Sequence, residues 1–206
     1  MHRVLFIPGA WSTANCFNYY FDALAADDAL TPVYVLYNIQ TDSLPAVVGK
    51  VNETLDELTG NLDQKYVLVG HSLGGMIALA CHDHPKVAGI LTVASPIDGL
   101  DLNRLVQTLV SVRSPFLIDA MRRSSWVSDL HEIEYTKPIC HIATKGGFHP
   151  AMYEENDGVV SYASQTRWKA PGAVVKTIKS THHDILQHDQ AAFYMKRMAR
   201  GDMFTE

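Results

Sequence analysis

Lys65-Tyr66-Val67-Leu68-Val69-Gly70-His71-Ser72-Leu73-Gly74-Gly75-Met76-Ile77-Ala78-Leu79-Ala80 reads as an apolar strand, a serine between glycines, and an apolar helix. A Gly-x-Ser-x-Gly pattern is common by chance, but at a strand-to-helix junction it has a mechanical meaning. The chain must turn sharply there, which strains the serine backbone and lifts its hydroxyl clear of the sheet. The residues two before and two after must then lack side chains. Gly70 and Gly74 meet that need. The same turn aims the first amides of the helix at the serine, so the N–H of Leu73 is placed to stabilise an oxyanion.

Outward from this stretch, short apolar runs alternate with segments of helical period. Expected strands lie at 3–7, 32–37, 65–69, 87–94, 138–143 and 173–178. Expected helices lie at 15–26, 44–58, 73–82 and 189–199. The strands are rich in Val, Leu and Ile throughout, as strands covered on both faces are. The alternation predicts an α/β fold, a three-layer sandwich around a mostly parallel sheet, in a single domain over residues 1–206. The second helix carries Val47, Val48, Val51, Leu55 and Leu58 as one apolar stripe.

The stretch 97–135 separates two strands by more than a connecting loop needs. It carries Leu102, Leu105, Val106, Leu109 and Val110 at helical spacing, then Phe116, Leu117, Met121, Trp126, Val127 and Leu130. It reads either as a crossover helix packed on the core or as a helical lid over a site at the carboxyl ends of the strands.

A serine hydroxyl is a poor nucleophile until a base takes its proton, so the motif calls for a histidine and an acid behind it. In sheets of this kind they follow the serine in the order acid, then histidine, on loops after later strands. Ser180-Thr181-His182-His183-Asp184-Ile185-Leu186 follows the last expected strand. His183 is the expected base, with His182 the alternative, because Ile185 and Leu186 would anchor the loop and leave the ring of His183 free to turn. The expected acid is Asp157 in Asn156-Asp157-Gly158-Val159-Val160, a tight turn that the valines pin to the core. Asp184 is too near the histidines in sequence to orient them well, Asp119 and Asp129 are weaker alternatives, and Glu154 and Glu155 are neighbours. The loop Ile7-Pro8-Gly9-Ala10-Trp11-Ser12 offers the N–H of Ala10 as second oxyanion donor beside Leu73. Trp11 and Phe17 are candidates for the floor of a substrate pocket.

These pieces resemble the α/β-hydrolase superfamily, and within it the small lipases and carboxylesterases. The resemblance rests on Pro8-Gly9-Ala10-Trp11, Gly70-His71-Ser72-Leu73-Gly74-Gly75, Ala94-Ser95-Pro96, Asn156-Asp157-Gly158-Val159-Val160 and His183-Asp184-Ile185-Leu186, in order along nearly the whole chain. It implies a minimal form of the fold beginning at the family's third strand. It also implies lid helices after Ser95-Pro96, with Trp126 in the segment that packs by the acyl site. The first loop departs from the pattern, with Ile7-Pro8-Gly9 where many members carry His-Gly.

The resulting expectation is an esterase-like enzyme acting on a small-molecule acyl ester through Ser72, His183 and Asp157, with Ala10 and Leu73 as oxyanion hole. Thioester or amide cleavage, or a binding protein that keeps the fold, are the alternatives. The chemistry needs no cofactor and no metal, since His82 and His84 read as surface residues that share no helical face. Composition agrees with a soluble enzyme: 47% of the 206 residues are apolar, and 17 Lys+Arg against 22 Asp+Glu give a net charge of −5 with no basic tract for nucleic acid. Three dispersed cysteines and an amino-terminal apolar run too short for a signal peptide or a membrane span point to the cytoplasm. The oligomeric state is open.

Overall fold

In the computed structural model, the residues described are 2–25, 33–38, 41–58, 63–100, 114–150 and 152–202. The expected stripe Leu102 to Val110 lies outside them. Six strands, β1 (Arg3–Ile7), β2 (Val33–Tyr34), β3 (Tyr66–His71), β4 (Val87–Val93), β5 (Ile139–Thr144) and β6 (Val174–Ile178), form one sheet in the order β2-β1-β3-β4-β5-β6. Every pairing is parallel. Of the strand expected over 32–37, the described residues form a strand only at Val33 and Tyr34, which pair with β1 at the sheet edge.

Strand alternation assigns side chains to the two faces. Leu5, Ile7, Leu68 and Ile90 point to the face covered by α2 (Leu44–Glu57), α3 (Leu73–Ala80) and two short helices, α4 (Pro115–Asp119) and α5 (Ser125–Glu132). Val4, Phe6, Val67, Val69, Leu91 and Val93 point to the other, covered by α1 (Asn18–Ala25) and α7 (Asp189–Arg200). A further short helix, α6 (Tyr162–Thr166), follows the Asp157 turn. The product is the expected three-layer α/β sandwich.

Local signals explain the helix positions. Ser43 caps α2 by accepting from the Ala46 N–H at 3.3 Å, Pro45 lies in the first turn, and Val47, Val51 and Leu55 are fully buried at intervals of four. Within 97–135, α4 and α5 pack on the core through Phe116, Val127 and Leu130. Leu100 and Met121 form an isolated bridge, and Asp98 holds both Arg122 at 3.1 Å and Arg167 at 2.8 Å. No helix among the described residues is long and apolar enough to cross a membrane.

Candidate active site

The glycine-flanked serine sits where the sequence places it, between β3 and α3. Ser72 has φ 53° and ψ −127°, a strained conformation for a residue with a side chain, costing on the order of 1–3 kcal/mol. The surroundings impose it. The Ser72 N–H donates to Val93 O at 2.9 Å, and its carbonyl accepts from Gly75 N at 3.1 Å. A Cβ on Gly70 would stand 2.3 Å from Gly74 O, and one on Gly74 would stand 2.1 Å from Ile7 O. The turn therefore admits only glycine on either side.

Asp157 lies in the turn after β5 with its carboxylate fully buried among five donors. Oδ1 accepts from the N–H groups of Val159 at 3.0 Å and Val160 at 2.7 Å. Oδ2 accepts from Thr144 Oγ1 at 2.7 Å, Gln165 Nε2 at 3.2 Å and His182 Nδ1 at 2.8 Å. Burial by itself pushes the Asp157 pKa up. The His182 bond and charge, the Val160 amide and the Thr144 hydroxyl together outweigh it, and the carboxyl is held below its ordinary value. An ionised Asp157 fixes the proton of the neutral His182 ring on Nδ1 and leaves Nε2 as the basic nitrogen.

The histidine bonded to the acid is thus His182, and the expectation of His183 is corrected. His182 is 3% exposed and is held to Asp157 twice, since its N–H also donates to the Asp157 carbonyl at 2.9 Å. His183 is exposed, its ring edge-on to that of His182 with centroids 5.4 Å apart. Ile185 and Leu186 do anchor the loop, with Tyr20 Oη donating to Ile185 O at 2.7 Å. That anchor fixes the loop, while the two bonds to Asp157 hold residue 182 inward ahead of the tight turn Asp184–Gln187.

Ser72, Leu73, His182 and His183 line one cavity of about 520 Å³ together with Ala10 and Trp11. Leu100, Leu117, Val159 and Val160 make much of the remaining wall, and no Lys, Arg, Asp or Glu among the described residues lines it. As the first residue of α3, Leu73 has no intrahelical acceptor for its N–H. A larger depression of about 800 Å³ behind the Asp157 turn contains neither the serine nor a histidine.

Two pocket expectations are corrected. Phe17 is fully buried on the opposite face of the sheet, its ring 4.7 Å from that of Phe6. Trp126, on α5, is half-buried against the core and is absent from the cavity wall. Both aromatics serve packing. His82, expected at the surface, is buried with its ring against Tyr135 and its Nε2 donating to Glu134 O at 2.9 Å. Among the described residues no three His, Cys, Asp or Glu side chains converge as a metal site.

Sequence reasoning missed Thr144 and Gln165, which hold the acid, and assigned no role to residues 145–150. Thr144 ends β5, where a polar residue after an apolar strand is a weak signal; Gln165 carries none. Residues 146 and 147 support the Asp157 turn, because both N–H groups donate to Asn156 O at 3.1 Å. A Cβ on Gly147 would stand 1.9 Å from the Asp157 carbonyl carbon. Gly147→Ala is therefore expected to destabilise the fold by about 3 kcal/mol and to displace Asp157. Denaturant unfolding checks the first effect, and an unchanged midpoint would refute the close approach.

With this geometry in view, the sequence profile described as "Alpha/beta hydrolase family" matches residues 4–195. The chain belongs to that family. Among curated proteins no sequence matches significantly. The mature lipase BlEst2 of Bacillus licheniformis is similar in structure with a TM-score of 0.77 at 14% identity, over 96% of this chain and 91% of that one. The metagenomic carboxyl esterase MGS0156 has a TM-score of 0.70 at 16% identity, over 98% of this chain and 76% of that one. The lin2722 product of Listeria innocua has a TM-score of 0.70 at 15% identity, over 100% of this chain and 96% of that one. At these identities the likeness is one of α/β-hydrolase fold.

Proposed function

We propose that the chain is a serine hydrolase that cleaves carboxylic esters of apolar acids, working as one catalytic domain without cofactor. Ser72 is the nucleophile, His182 the general base and Asp157 the residue that orients the ring and stabilises its charged form. As Ser72 Oγ attacks the ester carbonyl, its proton passes to His182 Nε2. The carbonyl oxygen becomes an oxyanion that the N–H groups of Ala10 and Leu73 hydrogen-bond. Collapse of the tetrahedral intermediate breaks the bond to the leaving oxygen, which takes the proton from His182 and departs as alcohol. The acyl group stays on Ser72 until water, deprotonated by the same ring, releases the acid.

The observation that carries this reading is the 2.8 Å bond between His182 and Asp157 on the wall of the cavity that also holds the strained Ser72. The largely apolar wall, to which the described residues contribute no Lys or Arg that could pair a carboxylate or phosphate, favours a neutral acyl group. The lipase and carboxyl esterase among the structural neighbours support ester cleavage over other acyl transfers.

A fluorophosphonate probe tests the reading. Labelling is expected at Ser72 and is lost in Ser72→Ala, and p-nitrophenyl esters with acyl groups from acetyl to octanoyl are turned over in preference to those of dicarboxylic acids. A folded protein that takes no label at Ser72 would overturn it.

A further inference from the structure

His71, the residue immediately before the serine, has no part in the mechanism above, yet its ring is fully buried on the cavity wall. Its Nε2–H donates to the backbone carbonyl of His182 at 2.9 Å, across 111 residues of chain. Its ring centroid lies 4.7 Å from that of His182 and 6.4 Å from that of His183. The other nitrogen, Nδ1, is buried without a partner. It faces the backbone of Gly9, where an added Cβ would stand 3.4 Å from it.

We infer that His71 is a positioning residue that ties the histidine loop to the serine turn and so sets where the base stands relative to the nucleophile. This inference rests on the proposed roles of Ser72 and His182. Residue 71 shares its backbone with Ser72, so a bond from its side chain to residue 182 couples the two groups through one rigid turn. Residue 182 is then held at three points: its N–H by the Asp157 carbonyl, its Nδ1 by the Asp157 carboxylate and its carbonyl by His71. Only the third of these leads back to the serine.

The donor must be the Nε2–H of a neutral ring, because a second proton on Nδ1 would be buried against Gly9 without an acceptor. Burial, and then the neighbouring His182, hold the His71 pKa at about 3, although the His182 carbonyl and Asp157 act in the opposite direction. The ring therefore stays neutral beside a base that becomes cationic in each turnover. An aliphatic residue at 71 would leave the His182 carbonyl buried without its donor. Glutamine is the informative replacement, since its amide N–H₂ sits at the same remove from the backbone as Nε2. Asparagine is one carbon too short.

The test compares His71→Leu, His71→Gln and His71→Asn in the full chain, with thermal melts to confirm folding. The low-field proton resonance of His182 Nδ1–H, bonded to Asp157, is read without substrate. Steady-state ester kinetics give kcat and KM separately. The Leu and Asn variants are expected to broaden or lose the resonance and to lose about 100-fold in kcat with KM little changed, as for a small misplacement of a reacting group. The Gln variant is expected to recover both. If the Leu variant does not fold, the Gln and Asn pair decides. Equal behaviour of Gln and Asn, or a wild-type resonance and kcat in Leu, overturns the inference. Because the resonance needs no turnover, its dependence on residue 71 remains readable even if Ser72 takes no fluorophosphonate label and the ester reading fails.

Discussion

Replacing His182 by Ala is expected to lower kcat on a neutral p-nitrophenyl ester by about 10⁴-fold, while His183→Ala stays within a few-fold of the parent. The two residues are adjacent and chemically identical, so the contrast isolates geometry. His182 is buried and donates Nδ1–H to Asp157 at 2.8 Å, whereas His183 is exposed and turns its ring edge toward its neighbour. Loss of the 182 ring does not strand the acid, because Asp157 keeps its bonds from Thr144, Gln165, Val159 and Val160. The variant should therefore fold, which circular dichroism checks, and its defect should lie in kcat. If His183→Ala were the inactive protein and His182→Ala the active one, the proposed base would be wrong.

That contrast also marks the limit of what the sequence discloses. The central strands are legible because burial on both faces demands unbroken runs of Val, Leu and Ile, a demand written in each segment by itself. The serine turn is legible for a similar reason, since Gly70 and Gly74 answer steric conflicts within a few residues of Ser72 and with the end of β1. Asp157 can be singled out because its turn follows β5 in the right chain order. The choice between His182 and His183 depends on a partner 25 residues away and on which face of one turn points inward. Phe17 and Trp126 are aromatic residues at plausible places in the chain, and only the tertiary packing, which puts Phe17 on the far face of the sheet and Trp126 against the core away from the cavity, decides their role. Gln165 reaches Asp157 and Thr144 from α6, a relation that no local pattern encodes.

Mild acid is expected to destabilise the protein first through two buried histidines, ahead of its carboxylates. His71 and His141 are each buried, and burial first of all holds the pKa of each at about 3. For His71 the nearby His182 adds to the effect, and for His141 the charge of Lys169 does. In the unfolded chain such rings take up a proton near pH 6.5. Between about pH 6.5 and 3 the unfolded state therefore binds more protons than the folded one, and stability falls as pH falls. At ~1.4 kcal/mol per ring per pH unit, the two together remove on the order of 5 kcal/mol by about pH 4.5, comparable to the whole stability of many domains. Asp157, held below its ordinary value when folded, adds its share only below about pH 4, where the carboxyl of the unfolded chain takes up a proton that the folded one does not. His141 lies away from the cavity and its Nδ1 shares a 2.8 Å hydrogen bond with Thr92 Oγ1, so Thr92→Val with His141→Leu removes one titrating ring and its partner together. Such paired replacement by apolar groups of similar shape leaves no stranded donor. The double variant is expected to take up about one proton fewer on unfolding between pH 6 and 4, a shallower dependence of urea-unfolding free energy on pH, and to shift its acid midpoint downward. An identical slope in the parent and the double variant would show that the buried His141 ring is not what acid attacks.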